Sequence, residues 1–425
     1  MIVIYTPKVT NRIKYTLDFV FTQYFGIPYF VVESPVDVLS PDHFYICYAP
    51  EKINGYFSVF QDTLLLETDI RPQRIFISKW ESLPVFFSAD GHFDVPFDIL
   101  SAIFFMLSRY EEYLPHDKDQ HGRYLSSNSV LSNPVFQFGP IVESWLSQFR
   151  QRLLTFAPQL RFSQRKAGYI PTFDIDQAYR FLGRNWLQHP PNILRKDCWK
   201  VLTGKSPDPY DTYDFILQET AGLQERPRFF ILTGNASRHD TKVSMKSHRM
   251  SSLLQRLKLA GEVGIHPSYD ALAQQSITAE KHLLEELLQQ PVTISRQHFL
   301  RISFPAYYNA LLAAGITMDY SLAYPDTPGF RAGCSVPFVF YNLISDQATT
   351  LVLQPSCWMD ATYEYYLMKK SNEIYRETED IIQQLSIFNG NFVPIYHNDV
   401  LAQERYRQLL THTHTLIKKE YYDEK

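Results

Sequence analysis

The sequence predicts an α/β protein: a distorted (β/α) barrel in the C-terminal two-thirds, preceded by a smaller α/β domain. Three observations predict it. From Ala167 onward, short apolar runs alternate with stretches of helical period, as when strands feed crossover helices into a parallel sheet. Acidic, basic and imidazole residues fall just after several of those runs, where the strand ends of a barrel gather a site. Before Ala167 the texture differs, and the polar run Phe162-Ser163-Gln164-Arg165-Lys166 separates the two parts. The expected domains are 1–163 and 164–425.

In the first domain, Ile2-Val3-Ile4-Tyr5 reads as a strand. Residues 11–25 read as a helix, with Ile13, Leu17, Val20, Phe21 and Tyr24 at helical spacing. Strands are expected around 30–32, 44–48 and 64–66. Residues 97–114 form a helix that is apolar nearly all round at its start, the pattern of a core helix. Its charged end, Arg109, Glu111 and Glu112, reads as an ion pair or a solvated terminus. A further helix is expected at 142–156. In the second domain, strands are expected at 168–173, 228–232, 262–265, 293–294, 316–318, 350–353 and 392–396. Helices are expected at 252–258, 279–290, 307–314 and 371–388.

Composition narrows the function classes. The chain has 425 residues, 45% of them hydrophobic, which is enough for one large core or two ordinary ones. The net charge is −4 and the 41 basic residues form no long run, which argues against a nucleic-acid partner. No apolar stretch reaches the roughly 20 residues that span a bilayer. Residues 1–7 lack the basic and apolar regions of a signal peptide, so a cytoplasmic location is expected. Cys47, Cys198, Cys334 and Cys357 have neither disulfide-framework nor zinc-knuckle spacing and read as buried thiols. Most of the 28 Tyr and 31 Phe belong to a core, with a minority available to stack on sugars.

The candidate chemistry sits after the strands. Asp174 and Asp176 follow the first, His266 the strand ending at Ile265, and Arg296 and His298 the next. Asp319 and His397 follow two more. Two carboxylates two residues apart can divide metal binding from proton abstraction, or they can simply cap the segment that follows. His239 and Asp240 are expected at the rim.

The order and wording of these segments resemble the NodB-homology polysaccharide deacetylases (carbohydrate esterase family four). Thr172-Phe173-Asp174-Ile175-Asp176 is similar to that family's first motif, and Gly264-Ile265-His266-Pro267-Ser268 to its histidine motif. Ser295-Arg296-Gln297-His298-Phe299 stands where the arginine motif belongs, Asp319-Tyr320-Ser321 where the fourth belongs, and Ile395-Tyr396-His397-Asn398 is similar to the last. The wording is closer still to a bacterial subgroup with an extra N-terminal domain. The likeness covers about 167–400.

The resemblance implies a divalent metal, with zinc the natural choice, held by Asp176 and His266. It implies Asp174 as general base, Arg296 pairing with it, and His397 as general acid held by Asp319. The family's second metal histidine, four residues after His266, is here Asp270. The third ligand is therefore expected from His298 or, ranked slightly behind, Asp270. Arg331, in a turn-rich loop, is expected to bind a sugar carboxylate or phosphate, with Phe299 and Tyr269 lining the substrate site. The implied function is removal of acetyl groups from an N- or O-acetylated sugar of a polysaccharide or glycan precursor. The alternative is a non-catalytic glycan-binding or assembly module with a degenerate barrel. The oligomeric state is left open.

Overall fold

The computed structural model describes residues 1–36, 39–89, 91–183, 196–234, 237–240, 245 and 247–422. The chain divides into two compact units. The first comprises Met1–Lys118, Tyr124–Lys166 and Ala332–Thr350. The second comprises Asp119–Arg123, Ala167–Arg331 and Leu351–Lys425.

The first unit is built on a four-stranded parallel sheet in the order Tyr29–Val32, Ile2–Tyr5, Phe44–Ala49, Phe57–Phe60. The helix Ile99–Leu107 is buried along its whole length. It starts where Asp98 accepts the backbone N–H of Ser101 at 2.8 Å, satisfying one of the free donors of a helix N-terminus. It stops well short of 114. Arg109 takes φ +52, outside the helical range, and the chain resumes as a short 3-10 turn, Tyr110–Tyr113. Arg109 Nε donates to Glu112 at 2.9 Å, the ion pair expected of that charged end. The helix predicted over 11–25 is α-helical for Asn11–Leu17 and widens to π turns over Asp18–Tyr24. The strand expected near 64–66 is a 3-10 turn, Leu64–Leu66. Three short strands, Phe57–Phe60, Ser78–Trp80 and Leu83–Val85, lie outside the sequence reading.

The late segment Ala332–Thr350 is bound firmly into this first unit. The Ser335 backbone N–H and hydroxyl donate to the buried carboxylate of Glu143 at 2.6 and 2.7 Å. Tyr15 donates its hydroxyl to the Val339 carbonyl at 2.7 Å, and Arg12 Nε donates to Asp346 at 2.9 Å.

In the second unit, parallel neighbours run in the order Leu351–Leu353 (the end of Gln347–Leu353), Met318–Asp319, Ile294–Ser295, Glu262–His266, Arg228–Leu232, Thr172–Ile175, Pro394–His397, Trp358–Met359. The fold is mixed α/β with a predominantly parallel sheet. Among the described residues this ladder is open and does not close on itself, so the barrel expectation is met only as a curved run of parallel strands with crossover helices. Proline splits two of the predicted strands: 168–173 is Gly168–Tyr169 and Thr172–Ile175, and 392–396 is Asn391–Phe392 and Pro394–His397. Trp358–Met359, too short to show a periodic pattern, had no counterpart in the sequence reading. Because the strands are parallel, Asp174, His266, Arg296, Asp360 and His397 emerge at one edge of the sheet.

All four cysteines are buried free thiols. No described helix is long and apolar enough to cross a membrane.

Candidate metal centre and active site

Three side chains converge at that edge. His266 is the last residue of its strand and 1% exposed. Its Nδ1 lies 2.6 Å from the Arg296 carbonyl oxygen, an acceptor only, so Nδ1 carries the proton and Nε2 keeps its lone pair. That Nε2 stands 3.0 Å from Asp176 Oδ1. Both atoms are buried and neither has a hydrogen-bond partner of acceptable geometry among the described residues. His298 Nε2 stands 3.4 Å from Asp176 Oδ2. One donor atom from each of Asp176, His266 and His298 lies within 4.8 Å of the others, a set that could hold a metal ion.

The third donor is anchored from behind. His298 Nδ1 lies 2.8 Å from Asp240 Oδ1. Asp240 also accepts the Tyr269 backbone N–H at 3.0 Å and the Ser237 hydroxyl at 2.5 Å. Burial works against a charged His298, but Asp176 and Asp240 outweigh it and push its pKa up to about 9. Burial likewise opposes ionisation of Asp176, yet the facing histidines hold its carboxyl well below the usual range. The two effects are the same fact seen from both sides: a protonated His298 balances the Asp176 carboxylate, a role that a bound cation would take over.

Asp174 lies beside this triad. Arg296 Nη1 donates to its Oδ1 at 2.8 Å, as expected. The Arg296 guanidinium is fully buried, stacked 4.5 Å from the Phe230 ring centroid, with Nε donating to the Tyr320 carbonyl at 3.1 Å. The free oxygen, Asp174 Oδ2, is 3.9 Å from His266 Nε2 and 3.9 Å from His397 Nε2.

The partner of His397 is not the one the sequence suggested. Asp360 Oδ1 lies 2.6 Å from His397 Nδ1, and Oδ2 accepts the His397 backbone N–H at 2.7 Å. Burial lowers the tendency of His397 to protonate, but Asp360 prevails and raises its pKa well above the ordinary imidazole value. Asp319 is committed elsewhere. It accepts from the Ser295 hydroxyl at 2.7 Å, from the Ser321 N–H at 2.9 Å and hydroxyl at 2.8 Å, and from Tyr307 at 3.3 Å. Burial pushes its pKa up to about 6. It ties neighbouring strand ends together and makes no bond to His397.

Two further expectations are corrected. Asp270 does not join the metal triad: its half-exposed carboxylate meets Arg301 Nη1 at 3.2 Å. Arg331 is fully buried, donates to the Ala323 carbonyl at 3.2 Å and lies over the Tyr324 ring, so it cannot greet a substrate. Phe299 does line the pocket, at φ +61. Tyr269 lies behind it in an aromatic cluster, 5.2 Å from Phe299 and stacked 4.2 Å from His239.

The pocket over the triad encloses about 150 Å³. Its polar lining includes Arg123, Asp174, Asp176, Gln297, His397 and Asp399. Leu300, Met359, Ala361 and Val400 supply an apolar patch, and Tyr365 and Tyr366 a tyrosine wall. Sequence reasoning missed Asp360, Arg123 and both tyrosines. Asp240 it placed only at the rim. The one available signal was that Asp360 follows Trp358-Met359, an apolar pair too brief to be taken for a strand.

Comparison with known proteins adds the following. A family of unknown function (DUF7033) matches residues 2–158. No curated protein matches the chain. Solved structures that resemble it include a Mycobacterium smegmatis protein described as a polysaccharide deacetylase, at 13% identity and TM-score 0.43, covering 62% of this chain and 86% of that one. A family 4 carbohydrate esterase from Streptomyces lividans, in complex with acetate, is 9% identical at TM-score 0.32, covering 60% and 90%. A CE4 family pseudoenzyme from Bacillus anthracis is 10% identical at TM-score 0.30, covering 60% and 62%. At such identities and scores, what this chain does has to be read from its own side chains.

Proposed function

We propose that this chain is a metal-dependent hydrolase that removes acetyl groups from an N- or O-acetylated sugar. One observation carries the reading: the Asp176–His266–His298 triad shares a pocket with an arginine-held carboxylate, Asp174, and a carboxylate-held imidazole, His397.

The residues fit a divalent cation. Asp176 Oδ1 and His266 Nε2 are buried polar atoms without a hydrogen-bond partner among the described residues, facing one another across 3.0 Å, an arrangement that costs free energy unless a cation bridges them. One carboxylate oxygen and two imidazole nitrogens are the donor types of a catalytic zinc site that keeps a position open. Such an ion, when bound, polarises an acyl carbonyl and eases ionisation of a water molecule.

The chain's own residues do the rest. Arg296 holds Asp174 oriented, leaving Oδ2 to take the proton of the attacking water. A bond forms between that water's oxygen and the acyl carbon, and the C–N or C–O bond to the sugar breaks. His397, kept protonated by Asp360, gives its Nε2 proton to the leaving nitrogen or oxygen. The products are acetate and a free amine or hydroxyl. The apolar patch of Leu300, Met359, Ala361 and Val400 suits the acyl methyl. A non-catalytic glycan-binding module drew its support from Asp270 in place of a second histidine; His298 beside Asp176 and His266 offers a donor in its place and favours the catalytic reading.

The test is bound metal and acetate release from acetylated sugars for the wild type, Asp176→Ala and Asp174→Asn. Stoichiometric metal lost in D176A, and release lost in D174N with metal retained, are expected. A wild type that holds no metal sinks the reading.

A further inference from the structure

Tyr365 and Tyr366 line the pocket, yet the hydrolytic chemistry leaves them idle. They are 60% and 40% exposed, a large area of aromatic surface left facing water. They are not loose. Arg123 Nη2 donates to the Tyr366 hydroxyl at 2.8 Å, and its guanidinium carbon sits 5.6 Å from that ring's centroid. Arg123 is 3% exposed and otherwise committed: Nε donates to Asp119 at 2.7 Å and Nη1 to the Phe299 carbonyl at 3.0 Å. Asp119 also accepts the backbone N–H groups of His121 and Arg123, at 2.8 and 2.9 Å, so the loop bearing Arg123 is closed on itself. On the other side, the Thr362 hydroxyl donates to the Pro325 carbonyl at 2.8 Å, and Tyr363 is buried against Trp358. A wet tyrosine fixed by a buried arginine from a distant part of the chain does little for folding; it is a face prepared in advance for a ligand.

A second observation points the same way. Gln297 lines the same pocket and is 2% exposed. Its Nε2 donates to the carbonyls of Pro267 and Ser268 at 3.2 and 3.0 Å, but its Oε1 is buried with no partner among the described residues. An orphaned acceptor and an aromatic wall lining one pocket call for a ligand with a donor at its edge and a C–H face, which is the chemistry of a pyranose ring.

We propose that Tyr365 and Tyr366 form the stacking wall for the sugar ring, that Gln297 Oε1 accepts one of its hydroxyl or amide protons, and that Arg123 is a positioning residue that holds Tyr366. This rests on the deacetylase reading for the acyl group but not for the sugar ring.

The experiment is calorimetric titration of the full chain with diacetylchitobiose and with an acetylated xylo-oligosaccharide, for the wild type, Tyr365→Ala, Tyr366→Ala, Arg123→Gln and Gln297→Leu, alongside metal content and acetate release. The expected result is that Y365A and Y366A weaken sugar binding about tenfold each while metal content holds. R123Q should weaken it less, raising KM more than it lowers kcat. Q297L should also weaken it. Sugar affinity unchanged in both tyrosine variants overturns the proposal, as does a wild type that binds neither sugar. Binding that depends on the tyrosines in a wild type that releases no acetate would overturn the hydrolase and leave the wall standing. Acetate release with tyrosine-independent binding would do the reverse.

Discussion

Asp240 holds His298 by a 2.8 Å contact to Nδ1 and thereby turns Nε2 toward Asp176. The two residues come from different strand ends, 58 positions apart in sequence. A carboxylate behind a ligand imidazole fixes its tautomer and raises its basicity. Asp240→Ala should therefore weaken binding of a divalent metal about 10–100-fold without emptying the site. A competitive chelator titration measures this, and an unchanged affinity would remove Asp240 from the centre.

The identity of the third ligand gives a sharper contrast. His298→Ala should abolish stoichiometric metal, whereas Asp270→Ala should leave it intact, because the Asp270 carboxylate is paired with Arg301. Elemental analysis of the two purified variants decides between them.

The acid limb of the reaction should follow Asp360, not Asp319. His397 has its pKa raised by Asp360 against the opposing effect of burial, so its protonated form persists to higher pH than an ordinary imidazole. Asp360→Asn removes that charge, and the alkaline limb of the kcat/KM profile should move to lower pH, with activity at neutral pH falling about 10²–10⁴-fold if proton donation is lost. Asp319→Asn should leave the position of that limb unchanged. Both are read from pH–rate profiles.

Removing Arg296 should cost stability as well as activity. Arg296→Ala leaves Asp174, 3% exposed, without its ion-pair partner. Breaking a buried pair from one side costs about 3–5 kcal/mol. Urea denaturation of the metal-free protein measures the loss. Relieving the charge by adding Asp174→Asn to the same chain should recover part of it.

Asp174, Asp176, His266 and His397 were legible because each lies at or near the end of an apolar strand of four or five residues. Arg296 follows only the two-residue strand Ile294–Ser295 and was legible from its place in the order of motifs. What was not legible depends on contacts made across the fold. Asp360 follows a two-residue strand, and its link to His397 is a pairing of strand ends 37 positions apart. Asp319, well placed in sequence order, was captured by the hydroxyls of Ser295, Ser321 and Tyr307. Arg331 looked like a loop cation but is fully buried. The α-helices end at Leu17 and Leu107, short of their patterns, for different reasons: the first widens to π turns over Asp18–Tyr24, and the second breaks where Arg109 takes φ +52.

The chain does not finish one unit before starting the other. Residues 119–123 are spent in the second unit before the first is complete, and residues 332–350 return to the first after most of the second is made. The two parts are therefore interleaved along the chain, and a single cut does not separate them. A gene fragment starting at Ala167 would lack Arg123 and would carry Ser335, Val339 and Asp346 stripped of Glu143, Tyr15 and Arg12. During synthesis, the first unit has to wait for nearly the whole chain to leave the ribosome before its last contacts can form.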